Sequence, residues 1–168
     1  MSSNNKFVLD ANVFIEAYNR YYSFDIAPSF WNALFEHAKS GNIISIDRVK
    51  QEINNFHKDD ELSKWINNNF AQWFEPTDKE EVIYTYRKII TWAVNQNQYL
   101  DIAKNDFASV ADSWLVAFAK TYNFIVVTHE QFNADIKKRI PIPNVCREFN
   151  VQYVNTFEML RRLNIKLG

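Results

Sequence analysis

Cysteine is all but missing from this chain, and that shortage removes two kinds of protein at once. Cys146 stands alone, so no disulfide can form within the chain and no cysteine-rich zinc site is available. Glycine is nearly as scarce. Two residues in 168 cannot build the glycine-rich loop that a phosphate-cradling nucleotide site requires. No apolar run is long enough to span a bilayer, and no basic segment leads into an apolar one as a secretion signal would. Nor does one sign of charge prevail. A net charge of −1 gives no overall pull toward nucleic acid, which argues against a high-affinity, non-specific DNA binder but leaves room for local basic segments. The expectation is a soluble, cytoplasmic protein with no membrane partner and an inert thiol.

What is present is core-forming material. Apolar residues make up 47% and aromatics 16%, and the length suits one core, so residues 1–168 are read as a single domain. Residues 1–5 are polar and expected to fray. Phe7-Val8-Leu9 is a short apolar run ending in Asp10, the pattern of a buried parallel strand that delivers a carboxylate to its sheet edge. Val13 to Arg20 continues as a helix. Pro28 starts another, carrying Phe30, Trp31, Leu34, Phe35 and Ala38 at helical spacing until Ser40-Gly41. Ile43 to Ile46 reads as a second strand, with Asp47 capping a helix that places Val49, Ile53 and Phe56 on one stripe.

Residues 57–105 read as a helical hairpin. Leu62 to Phe74 forms one arm, ended by Pro76, and Val82 to Val94 the other, after a capping-box pattern at Thr77 to Glu80. A further helix carries Ala111, Trp114, Leu115, Phe118 and Tyr122. Phe124 to Thr128 is then the strongest strand. Lys137-Lys138-Arg139 is a basic loop, Pro141 and Pro143 hold an extended backbone, Val151 to Val154 is the last strand, and Thr156 caps a closing helix. Strands separated by helices predict an α/β fold, a three-layer α/β/α sandwich around a parallel sheet of four to five strands. Ligands in such folds sit outside the carboxyl ends of the strands.

Four carboxylates map to that edge. Asp10 and Glu130 follow strands directly, and Asp112 lies in the first turns of a helix that runs antiparallel to the strand after it. Glu52 shares the buried stripe of its helix. Each has a plainer reading alone: a cap for Asp10, a dipole-favoured acid for Asp112, a solvated loop residue for Glu130, a helix surface for Glu52. Together they point to a hard divalent cation, because clustered carboxylates repel and oxygen-only ligation suits Mg2+ or Mn2+. The chemistry expected of such a site is hydrolysis of a phosphodiester.

The runs Val8 to Val13, Ala111 to Leu115 and Val126 to Glu130 resemble the acidic motifs of the PIN domain, the nuclease fold of VapC-type toxins and RNA-processing enzymes. Glu52 matches the acidic helix position between them. Ile142 to Cys146 and Phe157 to Arg161 are similar to a less-studied PIN-like branch. The resemblance implies a metal-dependent endoribonuclease with Asp10, Glu52, Asp112 and Glu130 as its acidic cluster, the metal resting on Asp10, Asp112 and Glu130. Asn12, Ser113 and Thr128 would support it, and Asp135 is a fallback ligand. It further implies an RNA substrate, an antitoxin partner and a homodimer, for which the aromatics of 57–105 offer an interface unless they form the core of the helical hairpin. One departure stands out: the last acid, usually Asp in that family, is Glu130, preceded by His129.

For the substrate, Lys137, Lys138, Arg139 and Arg147 are basic residues close to the last acid, and Tyr18, Tyr21 and Tyr22 could stack bases. A solvated loop and core packing are the alternatives for these. The departure at Glu130 and the lack of positive charge favour a second reading, a PIN-like RNA- or protein-binding module without catalysis. A phosphatase of the haloacid-dehalogenase type would need a second Asp two residues after Asp10, where Asn12 stands.

Overall fold

The computed structural model describes residues 6–168; the polar arm of residues 1–5 lies outside them. The chain opens with β1 (Phe7–Leu9), every residue of it buried. After Asp10 comes α1 (Ala11–Glu16), which widens into a π-helical turn over Ala17–Tyr21. Next are α2 (Pro28–Lys39), with its proline at the helix start, and β2 (Ile43–Ile46), leading into α3 (Asp47–Phe56). A short α4 (Glu61–Trp65), continued by π and 3-10 turns, leads to β3 (Phe74–Glu75). Then follow α5 (Glu80–Val94), α6 (Asp101–Ser109), α7 (Ala111–Tyr122) and β4 (Ile125–Val127). The chain closes through α8 (Ile142–Glu148), β5 (Tyr153–Val154) and α9 (Thr156–Arg162).

The strands form one sheet in the order β3-β2-β1-β4-β5, every pairing parallel. The helices flank it, giving the expected α/β architecture. No helix of the described residues is long and apolar enough to cross a membrane. The sheet core is apolar throughout, and the one buried hydroxyl on β2, Ser45, donates to the Leu9 carbonyl at 2.6 Å.

Register decides what reaches the sheet edge. Leu9 pairs with Val127, so the residues that follow, Asp10 and Thr128, emerge side by side. The Asp10 amide donates to Val127 O at 3.0 Å and the Thr128 amide to Val154 O at 2.9 Å, so the ladder runs on one step past the strands on both sides. α7 ends at Asn123, whose φ of 59° is the left-handed conformation that asparagine tolerates at a helix end. That turn sends the chain back along β4, which leaves Asp112, in the first turn of α7, at the same edge.

Several local expectations need correcting. The two arms of segment 57–105 are helical, but they are separated by β3, which adds a fifth strand beside β2. Two strand residues are too few for a periodic signal. The capping groups also differ from those the spacing predicts. Asp47 is the first residue of its helix, and its carboxylate accepts from Thr77 Oγ1 at 2.8 Å and Thr77 N at 3.1 Å, clamping α3 to the chain after β3. Thr77 is thereby taken, and no side chain caps α5. Asn155, not Thr156, caps α9, accepting from Glu158 N at 2.8 Å. Around Pro143 the chain is helical, since a proline within the first turn of α8 sacrifices no intrahelical bond.

The aromatics of α4 and its continuation are largely core. Phe70 is fully buried and meets Phe14 at 5.4 Å, Trp65 at 5.8 Å, Trp73 at 5.5 Å and Phe74 at 5.2 Å between centroids. It pins this segment onto α1, behind the edge. Phe70→Ala is expected to lower unfolding free energy by ~3–5 kcal/mol in urea titration. Phe56→Ser, at a side chain 78% exposed, is expected to stay within about 0.5 kcal/mol.

Candidate active site

Asp10 occupies the residue before α1, yet its side chain makes no cap to that helix. It turns instead to Thr128, whose hydroxyl donates to Asp10 Oδ2 at 3.0 Å. The same hydroxyl accepts from Glu130 N at 3.1 Å, so one threonine fixes both the first acid and the turn carrying the last. Asp10 is only 3% exposed. Burial, followed by the charge of Glu130, raises its pKa from 3.8 to about 7, against the lowering effect of the Thr128 hydrogen bond; the charge of Glu52 adds to the rise.

Asp112 feels the same field. Burial, then the charges of Asp10, Glu130 and Glu52, hold it well above the ordinary carboxylate range, and Arg139 pulls weakly the other way. The charges of Glu130 and Glu52 thus act on both Asp10 and Asp112. Asp135 is exposed on the loop after β4 and does not figure among the groups that shift Asp10 or Asp112.

Two of the four are already engaged. Glu52 is half-buried and accepts from the Ala111 amide at 3.1 Å, capping α7 from across the edge, while burial raises its pKa. Glu130 Oε1 accepts from the Ile142 amide at 2.9 Å and pairs with Arg139 Nη2 at 3.0 Å. The longer side chain of Glu130 therefore reaches across to the start of α8. Among the described residues, no three Asp, Glu, His or Cys side chains are arranged to hold one metal ion together. The oxygen-only donor set does fit a hard cation held by two carboxylates. Thr128 donates the one close side-chain hydrogen bond to Asp10, the Ala11 amide adds a weaker lowering contact, and Asp112 has no hydrogen bond to its side chain among the described residues. Mg2+ commonly takes one or two carboxylates and keeps its remaining waters.

A cleft of about 780 Å³ opens at Glu130 and Thr128, and Asp10, Glu52 and Asp112 are not among the residues that line it. Asn12, Thr128 and Glu130 line it, with Arg139 and Arg147 from the expected basic set. Lys137 and Lys138 are exposed and do not line it. Ser113 is fully buried, and its hydroxyl donates to the Val110 carbonyl at 3.3 Å, within its own helix start. Of the three tyrosines, only Tyr21 faces the cleft: Tyr22 stacks on Phe30 at 4.6 Å and Tyr18 packs on Phe24 at 5.8 Å. Cys146 is buried, and burial pushes its thiol up, in keeping with an inert group.

Several lining residues, Glu16, Gln131, Phe132, Asn155 and Phe157 among them, have no cleft role assigned from the sequence. Glu16 stands four residues after Asn12, one helical turn along the same face of α1, a spacing that was available to find it. Asn155 and Phe157 follow β5 at the carboxyl edge, where ligands of parallel sheets gather. Their signal was the strand end itself, which is weak when the strand has two residues.

A family model described as "Domain of unknown function (DUF4411)" matches residues 7–167. No curated protein matches. Among solved structures, FitAcB from Neisseria gonorrhoeae matches at 15% identity and a TM-score of 0.56, over 90% of this chain and 98% of that one. VapBC2 from Rickettsia felis, bound to a DNA fragment from their promoter, matches at 19% identity and a TM-score of 0.54, over 89% of this chain and 97% of that one. The fold is PIN-like, of the VapC kind. At these identities the likeness is one of fold.

The raised carboxylates set a pH dependence. A proton held more tightly in the folded state stabilises fully below the unfolded pKa, and that stabilisation is lost as pH rises through the folded value. For Asp10 the window runs from 3.8 to about 7. In EDTA, Asp10→Asn is therefore expected to gain stability over the parent as pH rises from 4 to 8, by a few kcal/mol (on the order of 4 at most). Thermal midpoints across that range check it, and a pH-independent difference would contradict the field described here.

Proposed function

The chain belongs to the family described as a domain of unknown function (DUF4411), a description that assigns no reaction, and from its own residues we propose that it is a metal-dependent endoribonuclease of the PIN type. The observation that carries this reading is the pair Asp10 and Asp112. Two acids with raised pKa values stand at the carboxyl edge of a parallel sheet, where Thr128, the partner of Asp10, lines an open cleft. Such a pair is costly unless a cation relieves the repulsion. Asp10 and Asp112 would hold Mg2+ or Mn2+ directly, with Glu130 reaching it by leaving Arg139. Bound there, a hard divalent cation supplies Lewis acidity toward water and the phosphodiester oxygens.

The chain's own groups would do the remaining work. Thr128 fixes the Asp10 carboxylate, so that its free oxygen has one orientation. Glu52 holds the start of α7 and with it the height of Asp112. Arg139, released from Glu130, would meet a phosphate as its guanidinium already meets a carboxylate. The likeness to VapBC2 and the resemblance to VapC-type toxins support a finer reading: a cytoplasmic toxin of a type II toxin–antitoxin pair, restrained by an antitoxin.

A second reading has its own observation. Glu130 is occupied by Arg139 and Ile142, which favours a binding module that no longer cleaves. Metal dependence separates the two. Purified protein is expected to cut single-stranded RNA in Mn2+ and to stop in EDTA. Asp10→Asn and Asp112→Asn should be inactive but folded, and Thr128→Val about 10–100-fold slower. Undiminished cleavage in EDTA would remove the mechanism. Absence of both cleavage and saturable Mn2+ stabilisation would leave the binding module.

A further inference from the structure

The cleft carries a second kind of chemistry beyond its acids. Tyr21, at the end of the π-helical turn, His129, just after β4, and Phe157, in the first turn of α9, come from three distant segments and meet on its wall. Their ring centroids lie 6.1 Å apart for Tyr21 and His129, 5.8 Å for Tyr21 and Phe157, and 6.2 Å for His129 and Phe157. The interplanar angles are 35°, 78° and 67°, so no two rings stack face to face. Tyr21 remains 48% exposed. The His129 ring is held in place by its contact with Thr156 Oγ1 at 2.9 Å. Three rings that meet by edges and tilts line one stretch of the cleft, with Tyr21 the exposed member.

A fixed cation lines the same cleft. The Arg147 guanidinium lies over the Phe132 ring at 3.8 Å, and its Nε donates to the Tyr153 hydroxyl at 3.1 Å. Both contacts orient the group, and among the described residues no carboxylate pairs with it. An exposed aromatic ring and an oriented guanidinium, in the cleft that Thr128 and Glu130 also line, match a nucleotide in two parts: base and phosphate.

We propose that Tyr21, His129 and Phe157 form a nucleobase subsite, which stacks one unpaired base of single-stranded RNA while Arg147 takes the adjacent phosphate. The inference deepens the ribonuclease reading and rests on it for the choice of RNA. The base has to be unpaired, because in a duplex its faces are already stacked and only groove edges are offered. The subsite seats a strand in the cleft that Thr128 and Glu130 also line, so that stacking, not base-edge hydrogen bonding, sets the register of the scissile phosphate. Selectivity would follow base size and stacking strength.

The test uses the full chain as Asp10→Asn in EDTA, so that binding is read without cleavage. Fluorescence anisotropy compares a labelled single-stranded RNA with an abasic oligomer of the same length and backbone. The base-bearing strand is expected to bind about tenfold tighter or more. Tyr21→Ala or Phe157→Ala should bring it close to the abasic value, and Tyr21→Trp should keep the preference, which a merely structural Tyr21 would not require. Arg147→Gln should weaken both strands alike. Equal binding of the two oligomers, an unaltered preference in Tyr21→Ala, or loss of preference in Tyr21→Trp would overturn the subsite. The two readings fail separately: base-dependent binding by a wild-type chain that never cleaves keeps the subsite and removes the reaction, whereas equal binding by a chain that cleaves does the reverse.

Discussion

The burial of Asp10 among other acids is the constraint around which the site is arranged. Asp10 is 3% exposed and shares its edge with Asp112, Glu52 and Glu130. Each neighbour is handled differently. Thr128 gives Asp10 a hydroxyl, Glu52 receives an amide from α7, and Glu130 receives an amide from α8 and a guanidinium from the loop between. Only Asp112 lacks such a partner among the described residues. A fold selected for stability alone would avoid this, since removing an uncompensated buried charge commonly stabilises. Local cost of this kind is a mark of a site with a task.

The same contacts assemble the cleft. Glu130 ties the end of β4 to the start of α8, across a loop otherwise fixed by Asn144, which accepts from Asn133 N at 3.0 Å and donates to Asn133 O at 2.8 Å and to Tyr99 at 3.1 Å. The stretch bearing Arg139 is therefore an ordered wall, although it has no regular secondary structure. Charge and architecture are coupled here. Glu130 is long enough to reach Ile142, so the acid after β4 also ties the structure together.

Much of this was legible in the sequence because parallel strands are short and blunt. Phe7-Val8-Leu9 followed by Asp10, and Ile125-Val126-Val127 followed by Thr128, advertise both the sheet and the edge at which its polar residues emerge. The placement of Asp112 followed from the direction of a helix before a parallel strand. What stayed hidden was tertiary. β3 and β5 have two residues each and exist because neighbouring strands pair with them. Asp47 and Thr77 were read as separate caps, and they are partners 30 residues apart. That Tyr21 would face the cleft while Tyr18 and Tyr22 would not depended on the π-helical turn, whose wider winding shifts side chains from their α-helical positions.

The two shortest strands have a consequence of their own. β3 and β5 are the outer strands of the sheet, and with two residues apiece they expose hardly any unpaired backbone at either margin. A margin that short is a poor template for another chain's strand, so runaway sheet growth between molecules is suppressed. Any complex this protein enters must then be recognised through side chains on helices and loops, and its partners can change by surface substitution alone without disturbing the hydrogen-bonded sheet within.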